Sequence, residues 1–361
     1  MLDLALKHDN QSVKNVWFSS ATSALIASLE AVETHGKWVA VAPNVCPNVI
    51  AAIFASGAKP WFVDIEPQRQ GIDPKLLTGV ISQVAAVIAV HAYGVPCEIE
   101  QIAEIANEAG VPLIEDCAQA DGAEFLGKAV GSFGDIAVFS FGTGKIIDAG
   151  GGGLAVVQMC FQDNIDKVIN DWPEADNGLI SDELGSVYRF FYNRFYPHNV
   201  EVIQESFLAF IKKISPLFKT RCNTKTIPHL IERRKELEAI IEARREKYSI
   251  YIKHLSGTNL IQPLPLLQGV VPWRFNIIID VSYRDLLFKQ LLNSDVKAST
   301  WYPRISIFLP NHSYKTTSDL VAKKYECGLL NLWLDETISN EQIVQNCGFL
   351  KNKIAQLMIE H

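Results

Sequence analysis

An aspartate and a lysine follow two apolar segments that the sequence predicts to be strands. Asp116 comes just after VPLI, and Lys145 comes after AVFSF and a glycine-containing turn. A carboxylate at the end of a buried strand can face a ligand as a fixed anion, although an isolated aspartate there is usually a helix cap or a turn residue. A lysine beside apolar residues such as Ile146 and Ile147 can act as a nucleophilic amine, whereas a lone lysine is usually a solvated surface charge.

A run of four glycines, Gly150–Gly153, follows the lysine. Glycines allow sharp turns and close backbone approach, but the run alone predicts only a flexible loop or a β-turn before a strand at Leu154–Val157. A Walker A loop is excluded because Phe139 occupies its first glycine position and Ile146 follows Lys145. A GxGxxG dinucleotide loop would lie between a strand and a helix, whereas these glycines precede a strand.

Pyridoxal phosphate fits these residues together. Its pyridine nitrogen needs a carboxylate so that the ring stays protonated and accepts electrons, and its aldehyde needs a lysine. Its phosphate needs hydroxyls, backbone N–H groups and a helix N-terminus. Asp116 and Lys145 would supply the first two, and the stretch Ser19–Ser23, which opens the first predicted helix, would supply the third with Ser140. We therefore predict a Schiff base on Lys145.

Strands that alternate with helices position these residues. The predicted strands are Trp38–Val41, Pro60–Val63, Ala85–Val90, Val111–Ile114, Ile136–Phe141, Leu154–Val157 and Phe275–Ile279. The predicted helices are Ser23–Glu33, a stretch ending at Phe54, Glu98–Ala109 with its stop at Gly110, Ile231–Leu255, Leu286–Leu292 and Asp319–Tyr325. This alternation predicts an α/β fold with a mainly parallel sheet and helices on both faces. Ligands bind at the carboxyl ends of such strands, where the candidate residues fall.

The length of 361 residues indicates one large domain and a smaller one. We predict a large cofactor-binding domain over 1–228, in which 161–226 is a variable insertion or an interface. Residues 229–361 are predicted to form a linking helix and a small C-terminal domain. The linking helix carries four arginines that are most simply a solvated face: Arg233, Arg234, Arg244 and Arg245.

Composition narrows the class of protein. The formal net charge is -7, which disfavours nucleic-acid binding. The sequence shows neither a secretory signal at its start nor an apolar run long enough for a membrane span, so we expect a cytoplasmic protein without membrane association. The seven scattered cysteines form no CxxC pair, and we expect neither a metal site nor a disulfide framework.

Several segments carry motifs of a known enzyme family. They are FSSATSAL, GAKPWFVDIEPQRQGIDP, VIAVHAYGVPCEIEQI and DCAQADGAEFLGKAVGSFGDIAVFSFGTGK, with STWYPRI and LLNLWLDETISNEQI as more modest matches. They resemble segments of the DegT/DnrJ/StrS sugar aminotransferases, with gaps, from about Val16 to Leu350. The resemblance implies an aspartate-aminotransferase-like fold, pyridoxal-phosphate fold type I, with a small α+β C-terminal domain. It also implies a homodimer whose active sites take residues from both subunits.

The resemblance implies a role for each matching residue. Lys145 would form the Schiff base and then move a proton between the substrate carbon and C4′ of the cofactor. Asp116 would pair with the pyridine nitrogen, and Gln119 would lie near the ring and its phenolic oxygen. The implied phosphate ligands are Ala21, Thr22 and Ser140.

The chain departs from the family at several of these positions. Ala21 stands where the family has glycine, and Cys46 aligns roughly with the aromatic residue that stacks on the cofactor. The family's GEGG is GGGG, and its NYR element appears only around Tyr188. A lysine at position 145 favours amino transfer, whereas a histidine there would favour a deoxysugar dehydratase.

The candidate substrate contacts are His91, Tyr93, Tyr188, Arg274, Trp301 and Tyr302. His91 follows a buried strand, where a packed, hydrogen-bonded histidine is the alternative to a catalytic one. Tyr93 either lines the pocket or caps a strand end. A guanidinium binds carboxylate or phosphate in bidentate fashion, but a surface arginine is the favoured interpretation of Arg274. Trp301 and Tyr302 either contact a sugar or pack within the small domain, and packing is slightly favoured.

We therefore expect an aminotransferase that binds two small molecules, an amino acid donor, glutamate by resemblance, and a keto-sugar acceptor, which we expect to be nucleotide-linked. Alternatives with the same cofactor are transfer to a non-sugar ketone such as a cyclitol, and another reaction such as β-elimination. A non-catalytic sensor or scaffold that only binds the cofactor is the alternative from another class.

Overall fold

The computed structural model describes residues 13–175 and 200–360. The strands β1 to β14 are Val13–Phe18, Trp38–Val41, Lys59–Phe62, Ala86–Val90, Leu113–Asp116, Glu124–Phe125, Lys128–Ala129, Ile136–Ser140, Gly153–Gln158, Ile261–Pro263, Phe275–Ile279, Ala298–Ser299, Lys315–Thr316 and Leu329–Leu332. The α-helices α1 to α11 are Ala21–Ala31, Pro47–Ala55, Pro74–Thr78, Ile99–Ala109, Met159–Ile169, Val200–Ile214, Ile227–Arg234, Leu237–Leu255, Val281–Leu292, Leu320–Gly328 and Asn340–Glu360. Within the described residues, none of the helices has the length and apolar character needed to cross a membrane.

Eight strands form one large sheet in the order β1-β9-β8-β5-β4-β2-β3-β13. The strands from β8 to β13 in this order are mutually parallel, and near the other edge β9 runs antiparallel to both of its neighbours, β8 and β1. The predicted α/β class with a mainly parallel sheet is therefore confirmed. Strand β13 comes from the C-terminal part of the chain, so that part adds an edge strand to the large sheet.

The carboxyl ends of three central strands lie side by side. Val90 at the end of β4 pairs with Asp116 at the end of β5, and Asp116 pairs with Val138 in β8. Strands β4, β5 and β8 therefore finish at one edge of the sheet. The polar residues that follow them meet at this edge, as the alternation of strands and helices predicted.

Local sequence explains the central elements well. Strand β4 is the continuous apolar run AVIAV, and all five residues are buried, as in a parallel sheet covered on both sides. Helix α4 buries Ile99, Ile102 and Ala106, which recur at the helical period. Gly110 ends the helix with a left-handed backbone at φ 64°, a conformation that glycine adopts without a steric penalty.

A second sheet lies in the C-terminal part, with antiparallel strands in the order β10-β11-β14-β12. Side chains of α8, α9 and α11 pack in the core beside it. At the centre of this core Tyr251 stacks on Phe275 with ring centroids 4.6 Å apart. The predicted domain boundary between residues 228 and 229 stays a prediction.

The predicted linking helix over Ile231–Leu255 is wrong in its continuity. The chain forms two helices, α7 and α8, which meet at Lys235 and Glu236. No glycine or proline marks the break, and tertiary contacts outweigh helix propensity there. Arg234 forms an ion pair with buried Asp121 at 2.9 Å, so it is not simply part of a solvated face.

Other elements carried no prediction, namely β1, β6, β7, β10, β12, β13, β14, α3, α5, α6 and α11. Within the predicted insertion 161–226, the described residues form most of α5, all of α6 and a 3₁₀ turn at Ser215–Phe218. Residues 176–199, which include Tyr188, lie outside the described residues.

Candidate active site

The turn that leads from β1 into α1 forms one end of a cavity. Ser20 caps the helix, because its side-chain oxygen accepts a hydrogen bond from the backbone N–H of Ser23 at 3.1 Å. Ser19 and Thr22 are buried beside it, and the first turn of this fully described helix carries no acidic side chain. The N–H groups of a first helical turn and the positive end of the helix dipole suit this turn to a phosphate group.

The glycine run packs against this turn. A Cβ atom on Gly153 would lie 2.3 Å from the carbonyl carbon of Ser20 and 2.5 Å from the backbone nitrogen of Ala21. The N–H of Gly152 donates to the carbonyl of Ser19 at 2.9 Å. The run is therefore more than a flexible turn, because only glycine at position 153 lets strand β9 approach the helix N-terminus so closely.

Asp116 ends β5 at the cavity and is 4% exposed. Its Oδ1 accepts a hydrogen bond from the backbone N–H of Ala118 at 2.9 Å. Burial raises the pKa of Asp116 above its ordinary value, whereas the Ala118 N–H and the charge of Lys145 act in the opposite direction. A cationic ring nitrogen beside this carboxyl group would favour its ionised form.

A fully buried pair, His91 and Glu115, lies next to Asp116. His91 Nε2 lies 3.1 Å from Glu115 Oε2, and Nδ1 accepts the backbone N–H of Cys97 at 3.2 Å. Glu115 accepts three further backbone N–H bonds of 2.6–2.7 Å from the segment 131–134. Both ring nitrogens are engaged within the protein, which is the packed histidine that the sequence offered as the alternative to catalysis.

The same pair and Cys117 form a group whose possible ligand atoms lie within 4.8 Å of one another in the described part of the chain. Backbone N–H groups already occupy the His91 Nδ1 and both carboxylate oxygens of Glu115. These bonds hold His91 and Glu115 in place within the protein. The expected absence of a metal site stays a prediction.

Lys145 follows β8 in a turn whose backbone forms hydrogen bonds with the side chains of Asp148 and Trp273. The backbone N–H of Gly144 donates to Asp148 Oδ2 at 2.7 Å, and the carbonyl of Gly144 accepts the indole N–H of Trp273 at 2.7 Å. Lys145 is half-buried, and its Nζ lies 6.0 Å from the centroid of the Trp273 ring. Lys145 and Asp116 line the same cavity.

Gln119 connects the strand ends to the C-terminal part of the chain. Its Nε2 donates to the Tyr302 hydroxyl at 2.7 Å, and its Oε1 accepts the backbone N–H of Tyr93 at 2.7 Å. The Tyr93 hydroxyl donates to the carbonyl of Trp301 at 2.8 Å and accepts the N–H of Tyr302 at 2.7 Å. Burial raises the pKa of the Tyr93 phenol, so it remains a hydrogen-bond donor. Tyr93 therefore contacts the residues that line the cavity.

A strained turn places Trp273 beside this network. Tyr93 has φ 59°, an uncommon left-handed conformation for a residue other than glycine, and Gly94 follows at φ 84°. The N–H of Val271 donates to the carbonyl of Gly94 at 3.2 Å, and that of Trp273 donates to the carbonyl of Tyr93 at 2.9 Å. A Cβ on Gly94 would lie 1.8 Å from the carbonyl oxygen of Val271, so glycine is needed for this approach.

Arg274 is 5% exposed, and the preferred interpretation of it as a surface arginine is wrong. Its guanidinium carbon lies 4.2 Å from the Trp273 ring centroid and 4.3 Å from that of Trp333, so indoles contact it on two sides. Nη1 lies 3.3 Å from Asp335 Oδ2, whereas Nε has no hydrogen-bond partner in the described residues. Burial lowers the pKa of Arg274 to about 10, and the group stays charged at neutral pH.

The cavity that these residues line has a volume of about 570 Å³. It brings together Lys145 and Asp116 with most of the other predicted site residues: Ala21, Thr22, Cys46, His91, Gln119, Ser140, Arg274, Trp301 and Tyr302. We call one side of it the aromatic wall, which consists of Trp273, Arg274, Tyr302 and Trp333. We call the other the strand-end side, which consists of Thr22, Asp116, Ser140 and Lys145.

Sequence reasoning missed Trp273 and Trp333. Both are half-buried, and both lie at strand ends, where β11 begins and β14 finishes. Trp273 precedes a strand that was predicted, so an aromatic residue at a strand end was an available sign. Trp333 had no comparable indication in the sequence, because the strand that precedes it, β14, was not predicted.

The chain is similar in sequence to known aminotransferases. Residues 7–167 match the sequence model of the DegT/DnrJ/EryC1/StrS aminotransferase family. GDP-perosamine synthase of Vibrio cholerae is 27% identical over 343 residues, which cover 92% of this chain and 84% of that protein. The N-terminal part of the chain, residues 7–167, therefore matches the DegT/DnrJ/EryC1/StrS aminotransferase family. The recognition that the sequence motifs suggested is therefore confirmed.

A second relative is similar over a shorter part. The L-glutamine:2-deoxy-scyllo-inosose aminotransferase of Streptomyces kanamyceticus is 36% identical over 140 residues, 38% of this chain and 33% of that protein. Among solved structures, the aminotransferase TlmJ from Streptoalloteichus hindustanus superimposes with a TM-score of 0.73 at 22% identity, covering 95% of this chain and 86% of that one. The predicted fold, pyridoxal-phosphate fold type I, is confirmed.

Proposed function

We propose that the chain binds pyridoxal phosphate and transfers an amino group from an amino acid to a keto-sugar that is nucleotide-linked. The observation that carries the proposal is that Asp116, Lys145 and the N-terminus of α1 line one cavity. The site fits the cofactor chemically, because an anion site without acidic residues, a buried carboxyl group and an amine are the three groups that it requires. When bound, the cofactor supplies an aldehyde that condenses with amines and a ring that withdraws electrons from the substrate carbon.

The residues of the strand-end side would then have separate tasks. The N–H groups and hydroxyls at Ser20, Thr22 and Ser140 bind the phosphate. Asp116 binds the ring nitrogen as an ionised carboxylate and so keeps its proton in place. Lys145 would supply the amine that holds the cofactor, and the same amine would move a proton to and from the substrate carbon.

Gln119 would orient the ring from its phenolic edge. Its amide is fixed at both ends, by Tyr302 and by the backbone of Tyr93. Cys46 also lines the cavity, where the family has a stacking aromatic, and it presents a smaller surface to the ring. The position of this ring would therefore depend more on Asp116 and Gln119 than on stacking.

The aromatic wall would bind the substrates. Arg274 lines the cavity with a charged guanidinium, which suits the carboxylate of an amino acid donor such as glutamate. The flat faces of Trp273 and Tyr302 lie parallel within 6° and provide apolar surfaces for the C–H faces of a sugar ring. The homodimer and the cytoplasmic location that we expect are part of the same proposal.

A cyclitol acceptor is a second candidate. The observation that favours it is the Streptomyces kanamyceticus relative, whose name specifies 2-deoxy-scyllo-inosose as acceptor and L-glutamine as donor. A cyclitol ring presents hydroxyls and C–H faces much as a sugar does. The two acceptors differ in whether a nucleotide accompanies the ring.

Trapping of the cofactor tests the proposal directly. Purified protein loaded with pyridoxal phosphate is reduced with borohydride, and mass spectrometry of its peptides should locate the added mass on Lys145. Lys145→Ala should lose the label and about 10²- to 10⁴-fold in transfer rate, whereas Lys128→Ala, at an exposed hairpin lysine, should keep both. A label on other lysines alone would refute the proposal.

Substrate panels then separate the acceptors. Nucleotide-linked keto-sugars and keto-cyclitols are offered with glutamate or glutamine, and mass spectrometry detects the replacement of a carbonyl by an amine. Amination of a nucleotide-linked sugar supports the first candidate, and amination of the cyclitol alone supports the second. A labelled protein whose cofactor absorbance no amino donor changes would be a sensor or scaffold instead.

A further inference from the structure

A second buried arginine contacts the backbone of the lysine turn. Arg244 lies on α8 and is 4% exposed, so its assignment to a solvated helix face is wrong. Its Nη2 donates to the carbonyl of Lys145 at 3.3 Å, and its Nη1 donates to the carbonyl of Trp273 at 3.1 Å and lies 3.4 Å from that of Pro272. One guanidinium therefore joins the lysine turn to the aromatic wall.

Arg244 is a buried cation whose hydrogen bonds in the described structure go to backbone carbonyls. No carboxylate of the described residues forms a salt bridge with it, and burial lowers its pKa, with Asp335 and Glu336 acting in the opposite direction from longer range. Burying an unpaired cation is costly unless its hydrogen bonds compensate. Here the bonds of this cation go to backbone carbonyls on both sides of the cavity.

Trp273 makes an independent connection between the same two segments. Its indole N–H donates to the carbonyl of Gly144, directly before the lysine, while its own carbonyl accepts from Arg244. The carbonyls of Gly144 and Lys145 are thus bound by two different side chains from the C-terminal half of the chain. The direction in which Lys145 leaves its turn depends on both.

We propose that Arg244 is a positioning residue for Lys145. It holds the Lys145 turn together with the indole N–H of Trp273. The inference rests on the proposed function, because it assigns Arg244 to the amine that would hold the cofactor. Loss of the guanidinium would free the Lys145 carbonyl and let the turn move relative to the aromatic wall. Arg244 itself touches neither substrate nor cofactor in this scheme.

The neighbouring Arg245 is the matched control. It lies next on the same helix and also donates to a backbone carbonyl, that of Val270, through Nε at 3.2 Å and Nη2 at 3.1 Å. It is exposed, and no bond joins it to the lysine turn in the described structure. Arg244→Met and Arg245→Met therefore remove similar bonds from the same region, and only the first affects Lys145.

Two measurements other than turnover test the inference. The first is the rate at which Lys145 of the cofactor-free protein is reductively methylated, followed by peptide mass spectrometry. The second is the dissociation constant and the pH titration of the visible absorbance of bound pyridoxal phosphate. Arg244→Met should change the methylation rate and weaken cofactor binding about 10- to 100-fold, as expected for the loss of charged hydrogen bonds, with partial recovery in Arg244→Lys. Arg245→Met should match the wild type.

Arg244→Met values indistinguishable from those of Arg245→Met would overturn the inference. If Arg244→Met does not fold, Arg244→Gln and Trp273→Phe decide, because the first removes the charge and the second keeps an aromatic side chain while removing the N–H bond to the Gly144 carbonyl. Wild-type methylation rates and titrations in both would equally reject the role. Borohydride labelling of wild-type Lys145 is scored separately, so a failure of the proposed function is distinguished from a failure of this inference.

Discussion

The two sides of the cavity are built by different means. On the strand-end side, Asp116 and Ser140 are fixed because parallel strands finish at one edge of the sheet. The aromatic wall is fixed by contacts between segments far apart in sequence, such as the bonds from Tyr93 to Trp301 and Tyr302 and the stacking of indoles on Arg274. The residues proposed to bind the cofactor can thus be set by local motifs, whereas the residues proposed to bind the substrates depend on tertiary contacts.

The largest expected effect is on the strand-end side. Asp116→Asn should lower the transfer rate by about 10²- to 10⁴-fold, because a neutral amide does not keep the ring nitrogen protonated. The same change should raise the free energy of unfolding of the cofactor-free protein relative to the wild type at neutral pH. Burial raises the folded-state pKa of Asp116 above its ordinary 3.8, so the folded protein binds this proton more tightly than the unfolded chain does.

The raised pKa of Asp116 determines how the stability of the cofactor-free protein depends on pH. In the cofactor-free protein, stability contributed by protonated Asp116 is present below the ordinary pKa and is lost as the pH rises through the folded-state value. Chemical denaturation across this range should show the unfolding free energy of Asp116→Asn gaining on the wild type as the pH rises. A constant difference across the pH range would contradict the burial argument.

The next largest effect is expected on the aromatic wall. Arg274→Gln should raise the KM for the amino acid donor by about 10- to 100-fold, as for the loss of charge-assisted hydrogen bonds. The acceptor half-reaction, started from protein that already carries the amine form of the cofactor, should change much less. Stopped-flow measurement of each half-reaction checks this. An equal loss of rate in both half-reactions would show that Arg274 stabilises the aromatic wall and does not bind the donor specifically.

Gly94 tests how the aromatic wall is attached. Gly94→Ala should lower the unfolding free energy by about 2–5 kcal/mol, because about 1–2 kcal/mol for a left-handed alanine adds to about 1–3 kcal/mol for the overlap of its Cβ with the carbonyl oxygen of Val271. Gly110→Ala is the control, because Gly110 is also left-handed but has open space around its Cβ position, and it should cost only the backbone term of about 1–2 kcal/mol. Equal thermal shifts for the two variants would mean that the contact with Val271 is easily relaxed.

The smallest effect concerns the replaced stacking residue. Cys46→Phe should tighten cofactor binding by up to about tenfold, since an aromatic pair contributes roughly 0.5–1.5 kcal/mol beyond area burial. Cys46→Leu adds volume without a π face and separates the two contributions. Fluorescence titration with pyridoxal phosphate measures both, and weaker binding in both variants would show that the cavity has no room for a larger side chain.

Sequence alone determined the α/β class, the α4 boundary at Gly110 and the pairing of a carboxylate with a lysine at neighbouring strand ends, because period, end residues and glycines are local properties of the chain. The prediction of one helix over Ile231–Leu255 was wrong because ion pairs and backbone contacts, not propensity, decide where α7 ends. The sequence also did not predict the burial of Arg274 and Arg244. Trp333 and Asp335 contact the guanidinium of Arg274, and backbone carbonyls of other segments bind that of Arg244. These groups are far apart in sequence, and only the folded chain brings them together.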